Sequence, residues 1–141
     1  MKQAKYSFEQ YLAILGAVAC LVITILIWRA VSLQQPMWPL PGLYFIEIPA
    51  ICMAAAGLLL SGGALGRAAV WGSAGILFGF SLLGVFSVGI YYFPVALLLM
   101  FTSLAADIRV KQPILAHLGI FLAAGMAQVG LMLAAIWLLY K

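Results

Sequence analysis

The chain has 141 residues, 67% of them hydrophobic and only 7% charged, with a mean hydropathy of +1.22. A soluble domain carries about 25% charged residues to cover its water-facing surface, so seven basic and three acidic side chains exclude an ordinary soluble fold. The net charge of +4 is not a nucleic-acid footprint, because Lys and Arg stand singly or in pairs at the edges of apolar runs.

Lys2 and Lys5 before Leu12–Trp28 have the outline of a signal peptide. The apolar run is longer than a usual h-region, however, and no small-x-small site follows it. It therefore reads as a retained first span over residues 11–28, close to the ~20 residues a bilayer crossing needs. Ser7 and Gln10 offer a capping box at its start, and Trp28 and Arg29 close it at an interface. Pro36, Pro39 and Pro41 then make residues 30–42 a short, stiff loop that no helix can continue through, with Trp38 laid on the bilayer surface. A second span is expected over 43–60, with Glu47 near its start and Pro49 after it, and a glycine-rich turn over 61–67.

The next apolar stretch, residues 69–107, carries no charge before Asp107. As one helix at about 1.5 Å per residue it would exceed ~55 Å, against a hydrocarbon core of about 30 Å. It must turn, and Gly89-Ile90-Tyr91-Tyr92-Phe93-Pro94 supplies a glycine, three interfacial rings and a helix-starting proline. The third span is thus expected over 68–88 and the fourth over 94–107. The fourth is short, ~20 Å if helical, so it either tilts or is re-entrant. Asp107 to Pro113 reads as a charged turn, and the fifth span as residues 114–139.

The expected fold is an all-α integral membrane protein with a single transmembrane domain. It is a compact bundle of five transmembrane helices, or four if Pro94–Ala106 is re-entrant. With the N-terminus inside, Lys2, Lys5, Arg67, Arg109 and Lys111 face inward, against Arg29 and Lys141 outside. The positive-inside bias thus predicts a cytoplasmic N-terminus and an outer C-terminus, as in a bacterial inner membrane.

In lipid, helices associate through close packing of small residues and a few polar contacts. The fifth span has the longest such stripe, Ala116, Gly119, Ala123, Ala127, Gly130 and Ala134, with Gln128 beside it. Gly75 and Gly79 form a GxxxG pair in the third, and shorter stripes mark the first two. Most of these are expected to pack within the chain. The fifth-span stripe is the candidate for contact with other membrane subunits.

Glu47 is the sharpest candidate for chemistry, since a charged side chain at a span centre costs roughly 2.5–3.5 kcal/mol. Lying about one turn below the loop, it is expected to pair with Arg29 or, alternatively, to form a ligand or ion site with Arg29, Trp38 and Tyr44. His117 shares a membrane level with Arg67, Asp107, Arg109 and Lys111; these could form a charge network, but interfacial loop charges are expected to face water and lipid phosphates. Cys20 and Cys52 lie in apolar runs and read as inert. With one His, no CxxC, no nucleophile triad and no phosphate loop, no metal, cofactor or enzymatic activity is expected.

Gln35-Pro36-Met37-Trp38-Pro39, followed by Leu43-Tyr44 after a first span, resembles the first loop of the tryptophan-rich sensory protein/translocator protein family. That resemblance implies five spans and binding of porphyrins or sterols. It covers about ten residues, lacks the family's later Asn and Trp signatures, and transfers no site residues. The reading from the residues themselves is a non-catalytic structural or accessory subunit of a membrane complex. Its alternative is a small carrier or ligand-binding protein with an outer-side pocket around Glu47.

Overall fold

Runs this apolar can hide their backbone polar groups from lipid only by helical hydrogen bonding within each segment. The computed structural model, which describes residues 7–34, 36, 38–84 and 87–139, is all-helical over those residues apart from short turns. Its elements are α1 (Phe8–Ser32), α2 (Gly42–Ser61), α3 (Gly63–Leu83), a 3₁₀ turn (Gly89–Tyr92), α4 (Phe93–Val110) and α5 (Ile114–Leu139). Five helices are long and apolar enough to cross a membrane, the fourth counted with its 3₁₀ turn as Gly89–Val110. Lys2, Lys5 and Lys141 of the orientation argument, and Gln35 and Met37 of the resemblance, lie outside the described residues.

Two boundaries differ from expectation in ways that matter. The fourth segment has 22 residues, ~33 Å at about 1.5 Å each, so its expected shortness, the reason to consider a re-entrant segment, disappears. It also runs past Asp107 to Val110 and stops at Lys111, which takes the left-handed conformation and donates its N–H to the carbonyls of Asp107 and Ile108. Asp107 therefore sits inside the last helical turn, not in a solvated loop.

Glycines set the tight turns. Gly62 and Gly63 have φ of 84° and 92°, the left-handed region that only glycine enters freely. A Cβ on Gly66 would lie 2.5 Å from the Leu58 carbonyl oxygen, so the first turn of α3 presses directly on the end of α2.

Helices α1 to α4 form a ring in which each touches the next and α4 closes on α1. Phe45, Ile48, Val70, Leu77, Tyr92 and Leu99 fill its interior. Thr24 donates to the Cys20 carbonyl at 2.8 Å, so the 2.9 Å contact with Tyr92 must use the tyrosine proton. That bond joins α1 to the 3₁₀ turn. Helix α5 stands outside the ring, packed on α3 with only a slight contact to α4. At the crossing, a Cβ on Gly79 would lie 2.6 Å from the Gly125 oxygen, and one on Gly75 would strike the Phe121 carbonyl. The ring of Phe121 fits between Trp71 and Phe78.

The start of α1, the α2–α3 turn and the α4–α5 turn share one end of the bundle, where Glu9, Arg67, Asp107, Arg109 and Lys111 gather. This is the charged end. The proline-rich loop and the α3–α4 turn share the other.

Candidate functional site

The charged end is built from helices whose sequences place one polar residue in each inward row. In α3, Arg67, Trp71, Gly75 and Gly79 follow one another at i, i+4 and share a face. In α5, His117 and Phe121 have the same spacing. Between the two rows lies Asp107 of α4, with no solvent-exposed surface.

Three side chains from two other helices converge on that carboxylate. Trp71 donates its indole N–H to Oδ2 at 2.7 Å, and His117 Nδ1 lies 2.7 Å from the same oxygen. The Arg67 guanidinium Nε stands 3.6 Å from Oδ1, close enough to balance its charge but too far for a hydrogen bond. An ionised carboxylate only accepts, so His117 donates from Nδ1, and in neutral imidazole Nε2 then carries the lone pair. The residue is a clasp: one buried charge ties α3, α4 and α5 together. Removing one partner of a buried pair strands the other, at a cost of about 3–5 kcal/mol.

A second ion pair lies beside the first. Glu9, in the first turn of α1, is buried and holds Arg109 Nε through Oε1 at 2.7 Å. Its neighbour Gln10 accepts the Ser7 N–H at 2.8 Å, forming the expected capping contact. The amide of Gln10 also donates to the Leu59 and Leu60 carbonyls at 3.2 and 3.4 Å. Those are last-turn carbonyls of α2, of which Leu59 also accepts the Gly62 N–H at 3.1 Å. Glu9 and Gln10 thus seat α1 against α4 and α2.

The expected solvation of this end is corrected by these contacts. Arg67, Asp107 and His117 are turned inward, and only Lys111 and Arg109 remain exposed. Glu9 and Trp71 were not anticipated as members. The signal available was the i, i+4 spacing of Arg67 with Trp71, one helix away from an acid near a helix end.

The residues expected to form an outer site are arranged differently. Glu47 is half-buried in α2, and no ion pair joins it to Arg29 among the described residues. The ring of Tyr44 packs on Phe80 with centroids 5.7 Å apart, and Trp38 is exposed. Arg29 lines a groove of about 330 Å³ with Trp28, Phe45 and Pro49, whose lining includes none of Glu47, Trp38 or Tyr44.

The packing candidates separate into two groups. Gly75 and Gly79 lie in the α3–α5 crossing. Gly119, Ala123 and Ala127 face outward, and a Cβ on Gly119 meets nothing within 4 Å. Gln128 is buried on the α3-facing side, with its amide nitrogen lacking a partner among the described residues. Cys20 and Cys52 are free and buried. Among the described residues, no cluster of three or more His, Cys, Asp or Glu side chains is placed to hold a metal ion. No known family, curated protein or solved structure matches this chain.

Proposed function

We propose that this chain is a multi-pass protein of a bacterial inner membrane, with its N-terminus cytoplasmic and its C-terminus outside, acting as a non-catalytic accessory subunit. The observation that supports this is the placement of α5. It is clasped to the ring along one seam and leaves an adjacent face of small residues bare. A Cβ on Gly119 or on Gly130 would meet nothing within 4 Å. In lipid such a face is where the backbone of another helix approaches closely, because apolar side chains gain little from leaving the lipid.

An apolar groove of about 330 Å³ between α3 and α5 adjoins this face, running past Gly79, Gly125 and Gly130. Stripe and groove meet at Gly130, so a partner helix could use both. The buried polar groups serve the same role, since Asp107 and its partners fix the helix that presents the face.

Extraction from the native membrane in mild detergent, followed by mass spectrometry of the intact particle, tests the reading. A stoichiometric companion polypeptide is the expected result. A monomer or homo-oligomer that carries only a retained small molecule would contradict it.

A further inference from the structure

The two ion pairs of the charged end leave a cavity between them. It holds about 70 Å³ and is walled by Glu9, Gln10, Gly62, Gly63, Arg67 and Arg109. A water needs roughly 10–15 Å³ of such space, so a small polar group fits.

Inside, Glu9 is 4% exposed. One of its oxygens is held by Arg109, and the other, Oε2, has no hydrogen-bond partner among the described residues. A carboxylate oxygen is an acceptor, so what satisfies it must donate a proton. The rim has the opposite character. Arg109 is 60% exposed there, and α3 begins at Gly63 after Gly62, which offers no side-chain cap, so the first-turn N–H groups are uncapped. Glu9 is matched by Arg109 and Asp107 by Arg67, so neither a bare cation nor a simple anion suits the walls. A group bearing both charges does: a donor cation inward, an anion at the rim. The cavity lies about one turn from the helix ends, the level of lipid headgroups in a membrane-spanning bundle.

We propose that this cavity takes a phosphoethanolamine group, with its primary ammonium donating to Glu9 Oε2 and its phosphate set against Arg109 and the start of α3. The proposal rests on the membrane placement given above and is independent of the accessory role. The same chemistry occurs on a phospholipid headgroup and on soluble glycerophosphoethanolamine.

The test uses the full chain in nanodiscs of phosphatidylcholine with added phosphatidylethanolamine or phosphatidylglycerol, and reads retained lipid by native mass spectrometry. Phosphatidylcholine is the discriminating control, because its trimethylammonium cannot donate a hydrogen bond. Retention of phosphatidylethanolamine over phosphatidylcholine by about ten-fold or more is expected, the scale of a hydrogen bond to a charged group. In Glu9→Gln, which still offers Arg109 an acceptor, the preference should fall below about two-fold. Equal retention of the two lipids by the unaltered protein, or preference for phosphatidylglycerol, would overturn the proposal without reference to any variant. Competition by glycerophosphoethanolamine supports a soluble ligand, and its failure to compete supports the lipid; both keep ethanolamine recognition. Release of the protein from vesicles by alkaline carbonate would overturn the membrane placement itself, a result read separately from lipid selectivity.

Discussion

Asp107 shows how much one residue can decide in a chain with so few charges. Its carboxylate accepts from Trp71 and His117 on one oxygen and faces Arg67 with the other. Asp107→Ala would leave Arg67 without its counter-charge and remove the polar contact with α5. A loss of about 3–5 kcal/mol is expected, read by reversible unfolding in mixed micelles. A loss under ~1 kcal/mol would mean that water reaches the site and the clasp is not a buried pair. The two cysteines supply a contrast. Cys20 and Cys52 are 0% and 1% exposed, so neither should react with a membrane-permeant maleimide until SDS unfolds the chain. Rapid labelling of the native protein would show that the ring interior is open. At this scale the sequence was legible in its residues but not in their directions. Asp107, Arg67 and His117 could be placed at one level. Whether they faced water depended on where α4 ends, and it ends on Lys111 in a left-handed conformation usually taken by Gly or Asn. The charges of Asp107, Arg109 and Lys111 read instead as a turn, so the helix looked a turn shorter and its last acid looked exposed.

Helix α5 illustrates the next scale, at which a stripe of small residues does not say which neighbour it serves. The GxxxG pair of α3 does meet another backbone: a Cβ on Gly79 would sit 2.6 Å from the Gly125 oxygen. Gly79→Leu should therefore part α3 from α5 and lower the melting temperature in mild detergent by several degrees or prevent folding. Gly119→Leu should leave that temperature unchanged, because nothing within 4 Å opposes a side chain there; its effect belongs to assembly. Equal destabilisation by both would contradict the assignment of the two faces. The seam that α5 uses runs through His117, Phe121, Gly125, Gln128 and Met132, and the small-residue stripe lies beside it on the helix surface. Hydropathy could not tell them apart, since both the lipid-facing and the protein-facing sides of such a helix are apolar. The marker of the seam was polar, the Asp107–His117 contact, and it became visible only once α4 and α5 were set together.

At the scale of the whole molecule, the lengths of the apolar runs and the turn residues between them were enough for five long apolar helices, because backbone hydrogen bonding in lipid leaves little else. The arrangement was less accessible: a closed ring of four helices with a fifth held outside it through glycine contacts and one polar clasp. The same geometry explains why Glu47, prominent as an acid within a span, is less engaged than Glu9, which sits in an unremarked first turn yet joins α1 to α4. Contact of the bare face of α5 with another chain is the central proposal. It is tested most directly by photo-crosslinking in the native membrane, with a benzophenone amino acid at position 119 or 127 and, as control, at the exposed Leu26 of α1. A discrete adduct with a second polypeptide from both α5 positions and none from Leu26 is predicted. Lipid adducts alone at all three positions would contradict it.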